Sequence, residues 1–193
     1  MNQKKHPNQK GMVVWLFGLS GAGKTTISSL LKEKLEHNGF AVAALDGDEL
    51  RKGISKDLSF SEADRQENIR RAAEIAKIMS NNNMVTICSF ITPLQKHRNV
   101  AAEIIGDAYF EVFVDCPLDI CCKRDVKGLY KKAKANQIPD FTGISSGFER
   151  PETPGLVLST ARESAEESME IVYNMLMPHI SLLPDFESAL SLQ

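Results

Sequence analysis

The sequence lacks the features that would direct a chain to a membrane, a nucleic acid or an oxidising compartment. Only 4 of its 193 residues are cysteine, and no two form a CxxC pair. Cys88, Cys116, Cys121 and Cys122 therefore carry no zinc or redox motif, and are expected as reduced, mostly buried thiols. No long basic tract is present. Lys and Arg number 23 against 25 Asp and Glu, a net charge of −2, so nucleic acid is not favoured as a partner. "KKHPNQK" near the N-terminus is basic but short, and reads as a solvated tail. No apolar run approaches the roughly 20 residues that cross a bilayer, so no membrane partner is expected. The run "MVVWLFGL" is interrupted at once by glycines and Lys24, with no cleavage-like site after it. The cytoplasm is the expected location. No internal repeat and no domain boundary is visible.

What is present is a 42% apolar chain, enough for one compact core and little for two. Apolar runs that read as buried strands are Val13–Phe17, Phe40–Leu45, Met84–Phe90, Tyr109–Asp115 and Leu156–Leu158. Segments of helical period lie among them: Thr25–His37, Glu62–Asn82, Leu94–Ile105 and Arg162–His179. Gly39 suits the end of the first helix, and Ser61 followed by Asp64 suits the start of the second. Such alternation predicts an α/β fold, a mainly parallel five-stranded sheet covered on both faces. Residues 124–155, rich in Lys, Gly and Pro, break the rhythm and read as a functional segment. The expectation is one domain over 1–193, with a flexible basic tail over 1–11 and a C-terminal appendage over 181–193.

"GLSGAGKTT", Gly18 to Thr26, fits GxxxxGK[ST] with a strand before it and a helix after it. Gly18, Leu19, Ser20, Gly21, Ala22, Gly23, Lys24, Thr25 and Thr26 are its residues. Backbone N–H groups freed by the glycines curl around phosphate oxygens, and the helix N-terminus adds positive charge. Lys24 reaches the β and γ phosphates, and the Thr25 hydroxyl suits Mg²⁺. No guanine-reading NKxD occurs. "DVKG" at Asp125–Gly128 has the form of a DxxG switch but follows no apolar strand. A nucleotide or metabolite kinase with a lid that excludes water is expected.

The second strand ends in "ALDGDELR". Carboxylates at the C-terminal edge of a parallel sheet stand beside the ligand crevice. Asp46 and Asp48 are two apart and would point the same way in an extended segment. One could orient Mg²⁺ waters, and the other could take a proton from an acceptor hydroxyl. A solvated turn with a helix cap is the plainer alternative. Arg51, Arg65 and Asn68 follow, the last two on one helix face, and arginine forks suit a phosphate or sulfate. Ser89 ends the third strand with no adjacent base and no GxSxG elbow. Phe141 in "FTGI" is an aromatic for stacking on a base or for the core.

Taken together, these stretches resemble the adenylylsulfate (APS) kinases from about Val13 to Pro154. The phosphate loop is generic. The ordered set "LDGDELRKGI", "LSFSEADRQENIRR", "SFITP", "VFVDCPLDIC", "KRDVKGLYKKA" and "FTGI" is specific. The resemblance implies a three-layer α/β/α, adenylate-kinase-like fold with a mobile lid over about 124–155. It implies transfer of the ATP γ-phosphoryl group to the 3′-hydroxyl of adenosine 5′-phosphosulfate, giving PAPS and ADP, with Mg²⁺ and a homodimer.

By position, Asp48 matches the residue next to the acceptor hydroxyl, and Asp46 a helper of the metal and Lys24. Arg51, Phe60, Arg65, Asn68, Ile91, Lys127 and Phe141 match APS-binding positions, with Phe60 and Phe141 about the adenine. Arg124 matches a position near the ATP base. Ser89 matches the serine described in the family as a phosphoserine intermediate, although direct transfer requires no covalent step. The chain departs from the family at Glu49 for Asn, at Leu94 for Tyr, and at Ser145 and Gly147 for Asp and Pro. With no sulfurylase segment evident, a single activity is expected. Two other readings stand beside this one: a P-loop kinase for another anionic acceptor, such as a sugar acid or nucleoside, and a non-catalytic nucleotide-dependent regulator.

Overall fold

A computed structural model describes residues 9–181. Five strands form one sheet in the order β2-β3-β1-β4-β5: β1 is Met12–Phe17, β2 Val42–Asp46, β3 Val85–Phe90, β4 Tyr109–Asp115 and β5 Leu156–Ser159. Every pairing is parallel, so "mainly parallel" becomes wholly parallel among these strands. Both faces of such a sheet must be covered, and the central strand shows it: all six residues of β1 are buried.

Successive β1 side chains feed different cores. Val14 and Leu16 join Ile27, Leu31 and Leu35 of helix α1 (Lys24–His37), with Val172 and Leu176 of α7 (Ala165–Ile180). Val13, Trp15 and Phe17 join Ile69, Ala72 and Ala76 of α3 (Glu62–Asn81), with Ala101 and Ile105 of α4 (Gln95–Ile105). The alanine stripe on α3 lets that helix lie close to the large rings of β1. Trp15 stacks on Phe90 at 5.0 Å, and its indole N–H donates to Thr92 Oγ1 at 3.0 Å.

Helix ends follow capping chemistry. Ser61 accepts from the Asp64 N–H, as expected, so α3 starts at Glu62. The last helix starts at Ala165 and not at Arg162, because Ser164 and Glu167 form a reciprocal capping box. Three short helices were not legible as periods: α2 (Gly47–Lys52), α5 (Leu118–Arg124) and α6 (Leu129–Lys134). The last of these gives the segment 124–155 an element of its own. The Asp125 carboxylate caps it, accepting from the N–H groups of Tyr130 and Lys131 at 3.0 Å each, so "DVKG" serves as a helix start.

Strand β2 begins at Val42, two residues later than expected, because Gln9 takes the place of a neighbour there. Its side chain accepts from Ala41 N at 2.7 Å and donates to the carbonyls of Ala41 and Asn83. Residues 9–11 thus belong to the folded unit, and the rest of the expected basic tail lies outside the described residues. The expected appendage, apart from Ser181, also lies outside them.

The loop between α2 and α3 carries Phe60 and is tied down from α3. Arg71 bonds the Asp57 carboxylate in bidentate fashion (2.7 and 2.8 Å), the Ile54 carbonyl and Glu67. Glu67 also takes Arg70, and hydrogen bonds from the two guanidinium groups hold its carboxyl down at about 2. A carboxyl depressed in the folded state stabilises above its ordinary value near 4.5 and loses that effect as pH falls toward 2. Glu67 is one-third exposed, which limits the effect to about 0.5–1 kcal/mol. Glu67→Gln should therefore be less stable than the parent by that amount at pH 7 in urea denaturation. The gap should narrow between pH 4.5 and 3; a gap that does not change with pH contradicts the account.

Candidate active site

The C-terminal ends of β1, β2 and β3 open into a cleft of about 930 Å³. The loop from β1 to α1 forms its floor. Gly18 has φ +152°, and a Cβ there would lie 2.4 Å from the Val114 carbonyl of β4. Only glycine lets β1 turn that close to its neighbour strand. Gly23, at φ +107°, then turns the chain into α1. Ser20, Gly21, Gly23, Lys24, Thr25 and Thr26 line the cleft. Leu19 faces a second cavity, of about 540 Å³, and Ala22 is packed in the core.

Lys24 is buried and bent back on its own loop, donating to the carbonyls of Gly18 (2.9 Å) and Leu19 (2.7 Å). Burial lowers its ammonium to about 8. Phosphate oxygens entering the loop would offer those protons anionic acceptors.

Asp46 does not extend alongside Asp48, contrary to the extended reading of "LDGD". It is the N-cap of α2, and Asp48 lies in the helix. One Asp46 oxygen accepts from Asp48 N at 2.9 Å, and the other from the Thr25 hydroxyl at 3.0 Å. The helix cap of the plainer alternative is present, and it sits against the phosphate loop. Thr25 and Asp46 make a hard oxygen pair beside the phosphate site. Among the described residues no group of three or more His, Cys, Asp or Glu is placed to hold a metal. That donor set fits Mg²⁺, which keeps waters and phosphate oxygens as its other ligands. Asp48 is exposed and ion-paired with Lys127, whose ammonium is raised by that contact.

Arg51 and Arg65 share the cleft, but not as free forks. The Arg51 guanidinium lies 4.3 Å from the Phe60 ring centre and donates to Ser59 O at 2.8 Å. Arg65 donates to the Phe60 carbonyl (2.8 Å), to Thr142 Oγ1 (3.2 Å) and to the Asp140 carbonyl. It thereby ties α3 to the segment 124–155. Both guanidinium groups are lowered by burial. Phe60 is exposed, whereas Phe141 is buried edge-on against Tyr130 at 5.1 Å. Asn68 and Ser89 are buried with Asn68 Oδ1 and Ser89 Oγ unpartnered. Ser89 stands opposite Asp46 in the sheet register, and no histidine or carboxylate hydrogen-bonds its hydroxyl. Ile91 lines the cleft, and its carbonyl accepts from Gly18 N at 3.3 Å. Arg124 donates to the carbonyls of Gly21 and Thr160, bracing the loop from the side.

Four contributors were not legible in the sequence. Thr160 donates from its buried hydroxyl to the Ala22 carbonyl at 2.8 Å. Tyr130 donates to the Ser20 carbonyl at 2.9 Å. Thr92 has φ +40° and is held by Trp15 and by Arg98, whose buried guanidinium donates to its carbonyl at 3.2 Å. His97 lies in the cleft wall. Nothing local marks Thr160, whereas Tyr130 lies within the "KGLYKKA" stretch.

A phosphate loop at the head of a parallel sheet, a capping aspartate beside its threonine and a second carboxylate two residues on in the same cleft define a P-loop kinase. The family model for adenylylsulphate kinase matches residues 10–159. The adenylyl-sulfate kinase of Halothermothrix orenii is 49% identical over 169 residues, 88% of this chain and 91% of that one. That of Clostridium acetobutylicum is 43% identical over 178 residues, covering 92% and 89%. Among solved structures, the Mycobacterium tuberculosis APS kinase in complex with AMPPNP and APS superposes with a TM-score of 0.84 at 42% identity, covering 86% of this chain and 98% of that one. This chain belongs to the adenylylsulfate kinase family.

The brace on the loop generates a test. Thr160→Val removes a buried hydrogen bond and leaves the Ala22 carbonyl short of a donor, a loss of about 1–2 kcal/mol. ATP affinity should fall about 5- to 30-fold in a binding titration, on the scale of tenfold per 1.4 kcal/mol. Thr160→Ser should restore it. Unchanged affinity in Thr160→Val removes the brace from the loop's function.

Proposed function

We propose that the cleft holds Mg·ATP and adenosine 5′-phosphosulfate side by side and passes the γ-phosphoryl group to the acceptor 3′-hydroxyl, giving PAPS and ADP. The observation that carries this is the Asp46 carboxylate joining Thr25 of the donor loop to the backbone of Asp48 on the acceptor side. Phosphoryl transfer asks chiefly for positioning and charge neutralisation, and this arrangement supplies both.

The β and γ phosphates lie in the loop, under its N–H groups and the ammonium of Lys24. Thr25, and Asp46 through water, would hold Mg²⁺, which would supply charge neutralisation on the transferring group. Asp48 accepts the proton of the 3′-hydroxyl as the new P–O bond forms. Lys127 neutralises Asp48 in the free protein and turns to the bound anions when both substrates are present. Phe60 and Phe141 flank the adenine of the acceptor. Arg51, Arg65 and Asn68 face its phosphosulfate. Arg124 borders the ATP base. The segment 124–155 closes over the phosphates as a lid, with the Arg65 contacts to Asp140 and Thr142 as its latch. We place the protein in the cytoplasm as a homodimer. Four free cysteines and the lack, among the described residues, of a helix long and apolar enough to cross a membrane agree with the location.

Asp48→Asn should lower kcat by about 10²- to 10⁴-fold, the scale of general-base loss, and leave ATP binding within twofold. The assay is APS-dependent formation of PAPS and ADP with Mg·ATP; an unchanged kcat removes Asp48 from the base role. Ser89 is a bystander in this mechanism. Ser89→Ala should keep most of kcat, and a collapse of about 10³-fold would establish a covalent step through it.

A further inference from the structure

One buried titratable group of the cleft has no part in the mechanism above. His97 sits in the first turn of α4, fully buried, and lines the cleft that Arg65 and Asn68 also line, with the Arg65 charge close enough to act on the ring. Neither Nδ1 nor Nε2 has a hydrogen-bond partner. Asn68 Oδ1 is likewise unpartnered. Buried polar atoms are almost always satisfied, and orphans at a ligand cleft mark where a ligand atom belongs.

Packing against the sheet does not require a histidine there. The apolar core on this side is formed by Ala101 and Ile105 of α4, a turn or more further along. Charged groups surround the ring from every packed element: Lys96 on α4, Glu62 and Arg65 on α3, and Glu149 from the segment 124–155. Lys96 and Glu62 are already paired with each other, and Glu149 already accepts from Gln95 N at 2.6 Å. None of them takes a proton from His97.

We propose that His97 is a further substrate-binding residue, donating an imidazole N–H to the phosphosulfate of the bound acceptor beside Arg65 and Asn68. The contact discriminates a nucleotide that carries this anionic group from a bare nucleoside. It rests on adenylylsulfate being the acceptor. In the free protein, burial and the nearby cations Lys96 and Arg65 hold the ring below its ordinary value, and hence neutral at pH 7. A bound anion reverses the balance and favours the imidazolium. Acceptor binding then takes up a proton, and APS affinity rises as pH falls from 8 toward 6.

The test measures binding of APS and of adenosine to the full chain by calorimetry between pH 6 and 8. His97→Ala should weaken APS about 10- to 100-fold at pH 6.5, the scale of a charge-assisted hydrogen bond, and abolish the pH dependence. Adenosine and ATP affinities should stay within twofold. His97→Asn, which keeps a neutral donor, should recover part of the APS affinity without the pH dependence. It also serves if the alanine variant folds poorly. APS affinity within twofold of the parent in both variants overturns the proposal. So does an equal loss for adenosine, which would assign His97 to packing or to the nucleoside end. Failure of the underlying reading looks different: the parent itself would not bind APS.

Discussion

The carboxylate of Asp46 faces two halves of the site at once. One oxygen takes the Thr25 hydroxyl, at the start of the helix that follows the phosphate loop. The other takes the Asp48 N–H in the first turn of α2, the helix that also carries Arg51. A capping interaction of ordinary strength thus sets the distance between donor and acceptor chemistry. Its position depends in turn on β2 ending level with β3 and β1, which the parallel register enforces at Asp46 opposite Ser89 and Leu16 opposite Ser89. The Gly18 turn against Val114 completes the arrangement, since a side chain there would push β1 and its loop away from β4.

Around that centre, the protein satisfies its donors on one side and leaves acceptors and a ring open on the other. Lys24, Thr160, Tyr130 and Arg124 all donate to carbonyls of the phosphate loop, which is therefore shaped before a nucleotide arrives. Preorganisation of this kind reduces the ordering cost at binding. On the acceptor side, Ser89 Oγ, Asn68 Oδ1 and both His97 nitrogens are buried without partners. Each such atom carries a desolvation cost of about 1–3 kcal/mol that a ligand can relieve. This wall of the cleft thus gains on being filled. Arg51 and Arg65 hold the two loops that would enclose the ligand, which makes loop position and anion binding properties of the same side chains.

Much of this was legible in one dimension. The five strands could be read from their apolar runs because a doubly covered parallel sheet needs continuous hydrophobic segments, most fully in the buried β1 and β3, and β4 appears at its expected bounds. The phosphate loop was legible because its glycines, lysine and threonine act through local backbone. The short helices were not, because six or seven residues contain too little period to be seen, and α2 owes its existence to the Asp46 cap. That is why Asp46 and Asp48 were expected in one extended segment, whereas Asp48 lies in a helix; both still line the same cleft.

By itself, the sequence determined the strands, the long helices and the phosphate loop, because each is written within a single element or turn. The fold alone decided the pairings: Lys127 with Asp48, Arg65 with Asp140 and Thr142, Thr160 with Ala22, Tyr130 with Ser20. These partners are 75 or more positions apart. No local signal encodes such contacts. They exist because a parallel sheet returns every strand to the same edge, where loops distant along the chain must share one cleft.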